Sequence, residues 1–130
     1  MVSLGRGTSF PFEVYAHPNY SGADFSLTPR SVSGAKNPPL LNKKCYGVDL
    51  RNVSDEYIWE NGFDLSYVID AYNNLKMGDK FFSSFFEKLG GVDYILTMIK
   101  KGKTNEEIRA MWQDDVKKFK QQRQPYLLYK

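Results

Sequence analysis

Six residues near the amino terminus carry groups suited to recognition chemistry: Arg6, Gly7, Thr8, His17, Asn19 and Tyr20. Gly5 and Gly7 bracket Arg6, so the backbone is free to take positive φ and another surface can approach the guanidinium and the Thr8 hydroxyl closely. A binding loop has that composition, and so does a flexible lead-in to a first strand. Arginine, histidine, asparagine and threonine supply directional hydrogen bonds, while an exposed tyrosine face stacks on a sugar ring. The chemistry that fits is carbohydrate or peptide recognition. Structural roles compete with it: His17 precedes Pro18 and can close a strand, and Arg6 can pair with Glu13.

Bond-breaking chemistry finds less support. The chain has no His-Glu-x-x-His, no paired-cysteine zinc pattern, no Gly-Lys-Ser/Thr phosphate loop and no Gly-x-Ser-x-Gly elbow. No catalytic residue, metal or cofactor is therefore assigned. Glycoside hydrolysis needs two neighbouring carboxyl groups, and nothing in the spacing of Glu13, Asp24, Asp49 and Glu60 selects a pair. The lone Cys45 forms no internal disulfide and reads as a buried structural thiol. A net charge of +3 from 18 basic and 15 acidic side chains attracts polyanions weakly, so nucleic acid is not an expected partner. No apolar run is long enough to span a membrane and no leader is present. The compartment stays open, because a longer parent could be exported to the periplasm or cell envelope.

The elements that must position these residues follow from hydrophobic period. A chain of 130 residues with 42% hydrophobic side chains suits one domain, residues 1–130, that buries roughly two-thirds of its unfolded surface. Phe10 to His17 alternates, with Phe12, Val14 and Ala16 on one side and Glu13, Tyr15 and His17 on the other, which predicts a strand with one buried face. The turn formers from His17 to Gly22 should reverse the chain into a second extended run bearing Phe25 and Leu27, confined by Pro29. The two strands should pair as neighbours, which puts the recognition residues at one end of the sheet. Ser33 to Lys44, with Pro38-Pro39, reads as a long surface loop, and Cys45 to Val53 as a third strand in which Gly47 marks a bulge or a close neighbour.

The second half changes to a helical period. Leu65, Val68, Ile69, Tyr72 and Leu75 share one face. Asp79 is placed to cap a helix carrying Phe81, Phe82, Phe85, Phe86 and Leu89, stopped by Gly90-Gly91. Val92, Ile95, Leu96 and Ile99 predict a short helix ended by Gly102. Thr104 and Glu107 form a capping box ahead of a helix that should turn Ile108, Met111, Trp112, Val116 and Phe119 inward, with Lys117, Lys118, Lys120 and Arg123 at its far end. Tyr126 to Tyr129 should add a final strand or pack as a tail. The fold class is α+β: a small, mostly antiparallel sheet from the N-terminal half packed against three or four helices from the C-terminal half.

Several stretches taken together resemble one family. Gly5-Arg6-Gly7-Thr8 with Pro11-Phe12-Glu13, Cys45-Tyr46-Gly47-Val48, Phe86 to Gly91, the segment from Gly102 to Trp112, and Phe119, Arg123 and Tyr126 to Tyr129 are similar, in order, to the carboxy-terminal part of the NamZ-type exo-β-N-acetylmuramidases. Residues 54–61 match nothing in that pattern. The resemblance implies a bacterial glycoside hydrolase of cell-wall recycling that removes N-acetylmuramic acid from non-reducing ends of peptidoglycan fragments. It also implies an amino-terminal Rossmann-like domain as partner, with the active site between the two domains. In the family a Glu-Gly-Thr-Asn-like segment immediately precedes the glycine loop, and the catalytic carboxylates belong to the amino-terminal domain or the junction. This chain starts at Met1-Val2-Ser3, so it reads as a fragment, Met1 added, that is inactive alone. At the junction Arg6 either holds the lactyl carboxylate of muramic acid or serves as a structural hinge. A stand-alone glycan or muropeptide module, or a purely structural one, is the alternative.

Overall fold

The computed structural model describes residues 1–129. Its elements run β1 (Val14–His17), β2 (Phe25–Leu27), β3 (Cys45–Asp49), α1 (Asp55–Asn61), α2 (Ser66–Leu75), a 3₁₀ turn (Gly78–Lys80), α3 (Phe86–Gly90), α4 (Tyr94–Lys100), α5 (Asn105–Arg123) and a last 3₁₀ turn (Gln124–Tyr126). Strands followed by helices make the chain α+β, as the change of period predicts. Two compact units divide it, Met1–Phe81 and the residues from Phe82 onward.

In the first unit the strand order is β1-β3-β2, with both pairings antiparallel. The expected β1–β2 hairpin is absent, because both edges of β1 are already used. One edge faces β3, with Ala16 opposite Gly47. The other faces Ser3, whose N–H donates to the Ala16 carbonyl at 2.8 Å and whose carbonyl accepts from the Ala16 N–H at 2.9 Å. β2 therefore takes the far edge of β3, with Phe25 opposite Gly47. Both outer strands run antiparallel to β3 and hence in the same direction, so residues 18–24 carry the chain across instead of reversing it.

Gly47 is where the close neighbour lies. A Cβ built there would stand 2.0 Å from the Tyr15 carbonyl oxygen and 2.6 Å from Ala16 Cα. With nothing at that position, Val14, Ala16, Leu27 and Cys45 close into a buried cluster, with Phe10, Phe25 and Leu40 packed against it. Cys45 is the structural thiol expected of it: fully buried, with burial pushing its pKa up. The alternation of β1 fails at its other face. Tyr15 is only 7% exposed, its ring 6.2 Å from that of Tyr67 on α2, so β1 is covered on both sides. Phe12, read as facing inward, is exposed with φ 69°, because regular pairing begins only at Val14.

The Leu65 to Leu75 stripe forms α2 and buries Leu65, Ala71 and Leu75. No element is predicted at α1. Its signal is local: the Ser54 hydroxyl accepts from the Tyr57 N–H at 3.2 Å, and Asp55 and Glu56 sit in the first turn, where the helix dipole favours negative charge.

The second unit buries Ile95 and Ile99 of α4 and Ile108 of α5. The predicted aromatic helix shrinks to α3, and Asp79 lies inside the 3₁₀ turn instead of ahead of a helix. The stripe is broken there, with Phe85 and Leu89 exposed to solvent. The capping box is present in full. Glu107 N–H donates to Thr104 Oγ1 at 3.3 Å and Thr104 N–H donates to Glu107 Oε2 at 2.8 Å, while Lys103 reaches the same carboxylate at 2.7 Å. α5 does not turn its whole stripe inward, since Met111, Val116 and Phe119 are exposed. Residues 126–129 are exposed as well, and form no strand.

Gly47→Ala should therefore destabilise the chain by about 3 kcal/mol or more, at or above the upper end of the usual cost of overpacking, because the atoms it meets are backbone. Gly34→Ala, where nothing lies within 4 Å, should change stability by less than about 0.5 kcal/mol. Urea unfolding midpoints of the two variants test this, and equal midpoints would refute the close contact.

Candidate functional site

The Gly5-Arg6-Gly7-Thr8 loop folds back at the start of β1. Thr8 N–H donates to the Gly5 carbonyl at 3.1 Å, which closes a tight turn. Gly5 and Gly7 have φ of 77° and 86°, values that side-chain-bearing residues rarely adopt. Space makes the same demand. A Cβ on Gly5 would lie 2.7 Å from the Phe10 carbonyl oxygen, and one on Gly7 would lie 2.5 Å from that of Arg30. The Gly7 carbonyl accepts from Arg30 N–H at 2.9 Å, tying the loop to the segment after β2. This is a locked turn, not a flexible lead-in.

The turn treats its two polar side chains differently. The Thr8 hydroxyl donates to the Gly5 carbonyl at 2.6 Å and accepts from Phe10 N–H at 3.2 Å, so it is engaged within the loop. Arg6 is exposed, and makes no hydrogen bond or ion pair among the described residues. It does not pair with Glu13, whose carbonyl instead accepts from Leu50 N–H at 2.9 Å. The rigid turn thus projects one guanidinium whose five donors have no protein partner.

A second arginine at this end of the sheet is spoken for. Arg51 donates through Nε to Asp49 Oδ1 at 2.9 Å and through an Nη to Oδ2 at 2.6 Å, and its guanidinium lies 4.5 Å from the Phe10 ring centre. These hydrogen bonds hold the Asp49 carboxyl down at about 2. The forked pair stacked on an aromatic ring is a clamp for β3 and the Phe10 segment. The sequence holds a hint of it in Asp49 and Arg51, two apart and so on one side of a strand.

His17 closes β1, and Asn19 and Tyr20 lie in the turn that follows it. His17 Nδ1 accepts from Asn19 N–H at 3.1 Å, closing the turn, and burial lowers the histidine pKa. Tyr20 reaches α2, where Asp70 Oδ2 accepts from Tyr20 at 2.5 Å and from Tyr15 at 2.7 Å. Asn74, one helical turn on, accepts from Ser21 N–H at 2.9 Å and donates to the Ser21 carbonyl at 2.9 Å. Asp70 and Asn74 are missing from the sequence reading. Their i, i+4 spacing on the polar side of a predicted helix is the signal that could have found them.

A carboxylate between two phenols favours their neutral, donating form. Burial first and the Asp70 hydrogen bond second push Tyr20 up to about 12, and the same two causes raise Tyr15 above its ordinary range. This arrangement fastens the strand to the helix. Among the described residues no cluster of three His, Cys, Asp or Glu side chains could hold a metal ion. No helix among them is long and apolar enough to cross a membrane.

The tyrosine pair gives a test. The folded chain retains protons that the unfolded chain releases near pH 10, so the stabilisation is complete below that pH and is lost as pH rises through about 12. Tyrosinate absorbance should show two late-titrating tyrosines, and Asp70→Asn should move the Tyr20 step down towards 10. An unchanged titration would remove Asp70 as the cause.

Comparison with known proteins follows from this geometry. A family described as "Exo-beta-N-acetylmuramidase NamZ, C-terminal" matches residues 1–129. The chain is 30% identical to the peptidoglycan beta-N-acetylmuramidase NamZ of Bacillus subtilis strain 168, over 98% of its own length and 34% of that protein. It is also similar to the crystal structure of a DUF1343 family protein from Bacteroides fragilis NCTC 9343, with a TM-score of 0.96 and 60% identity over 99% of this chain and 36% of that one. The chain spans about a third of the length of each relative.

Proposed function

This chain belongs to the family of NamZ C-terminal domains, and we propose that it is the accessory half of a peptidoglycan-fragment glycosidase that releases N-acetylmuramic acid from non-reducing ends. In this reading the parent protein has an amino-terminal Rossmann-like domain that holds the catalytic carboxylates. The present chain, acting as one C-terminal domain, completes the substrate cleft. The coverage of about a third of each relative supports a further domain in the parent.

The observation that carries the reading is the locked turn with an unengaged arginine. The backbone that carries Arg6 is already fixed, so binding orders only the side chain, and its planar fork matches a carboxylate. Muramic acid differs from glucosamine by a lactyl ether that bears a carboxylate, so Arg6 would select the sugar the family name specifies. Gly7 lets the loop close onto the Arg30 backbone, while Thr8 stiffens it from within. The role is to bind and orient, and the bond-breaking groups lie outside this chain. His17, Asn19 and Tyr20 support the strand end more directly than a sugar. That weakens the alternative of a stand-alone glycan module with a continuous rim.

In the complete parent protein, Arg6→Ala should lower kcat/KM on a chromogenic N-acetylmuramide roughly 10- to 100-fold, the scale of one charge-assisted pair. Arg6→Lys should restore part of the loss. On the N-acetylglucosaminide that lacks the lactyl carboxylate, both variants should match the wild type. The 130-residue chain alone should leave the muramide intact. Hydrolysis by that chain alone would overturn the accessory role, and an equal loss on both sugars would overturn the carboxylate contact.

A further inference from the structure

Resting on the two-domain reading above, we propose that the bare apolar stripe of α5 is the surface on which the absent amino-terminal part of the parent chain docks. Ile108, Met111, Trp112, Val116 and Phe119 fall within one side of the helix, at the spacing that normally packs into a core. The first of them is fully buried. Beyond that turn the same stripe is uncovered, with Met111 54%, Val116 38% and Phe119 59% exposed. Leu127, just past the helix, is 46% exposed and lines an open hollow with Lys120, Arg123 and Tyr129. A single stripe is covered at one end and open at the other.

Size indicates which occupant fits. Met111, Val116, Phe119 and Leu127 together leave roughly 300 Å² of apolar surface in water, the lower end of the largest patch on a typical monomer, which is often functional. A standard interface between separate molecules takes about 800 Å² from each partner, so the stripe is too small to hold a second copy by itself. A segment of the same polypeptide needs far less, because its tether supplies an effective concentration of about millimolar. The relatives supply such a segment. This chain covers 34% of one and 36% of the other, and the family description places the matched region at the carboxy terminus. Charge at the rim sharpens the fit. Asp115 and Lys118 border the stripe and pair with each other at 3.8 Å, while Lys120 and Arg123 stand at its far end, so the docked surface should be apolar with an acidic edge.

Phe119→Cys reports on cover, because the native thiol, Cys45, is fully buried and should react slowly in the wild type. Maleimide should modify Phe119→Cys at least ~10-fold more slowly in the complete parent than in the 130-residue chain, as burial of the site requires. Equal rates in a parent shown by its mass and sequence to hold the further domain would overturn the docking surface while leaving the two-domain reading intact. A native polypeptide without that domain would overturn both. Protection in the 130-residue chain that grows with protein concentration, alongside a dimer in sedimentation, would overturn the tethered segment in favour of a second copy. Exposed positions tolerate substitution, and the helical circular dichroism of the variant checks that α5 is intact.

Discussion

The first unit depends on the missing side chain at position 47. Only a residue without Cβ lets the central strand lie against the Tyr15 and Ala16 backbone, where a methyl group would overlap the Tyr15 carbonyl at 2.0 Å. From that approach follow the burial of Val14, Ala16, Leu27 and Cys45 and the order β1-β3-β2. The start of β1 is then a fixed platform. The glycine-flanked turn rests on it, and its own two glycines are held by the Phe10 and Arg30 backbones.

Several polar residues around that platform hold the fold, and Arg6 makes no hydrogen bond or ion pair among the described residues. Asp49 clamps Arg51, and Asp70 gathers Tyr15 and Tyr20. Asn74 holds the Ser21 backbone, and Thr8 closes its own loop. Each removes from the solvent face a group that its residue type alone would nominate for binding. Arg6 remains, exposed on rigid backbone, so a ligand that binds it has to order the side chain but not the loop. Rigid support with an unengaged donor is a better guide to function here than the clustering of polar types along the chain.

In the second unit local signals and tertiary cover come apart. The capping box forms in full because its partners lie three residues apart, and a helix start needs nothing more distant. The stripe that follows is equally regular, yet most of it faces water. Periodicity states that a face is apolar. Whether this chain or another segment covers it is a separate fact, and helices of this kind draw most of their stability from being packed.

What the sequence determined alone was whatever is decided within a few residues. The alternation of Cys45 to Asp49, the period of α2, the Thr104 cap, the close neighbour at Gly47 and the α+β class were all readable there, since each rests on side-chain spacing or local sterics. The family was readable too, from motifs kept in order along the chain. Tertiary structure decided the rest. The edge of β1 went to Ser3 and not to β2, so the expected hairpin gave way to the order β1-β3-β2. Asp70 became the partner of Tyr15 and Tyr20 across 55 and 50 positions, and Arg6 was left without one among the described residues. Strand order and long-range hydrogen bonds depend on which backbone edges and carboxylates remain unpaired once the chain has closed, and no local pattern carries that information.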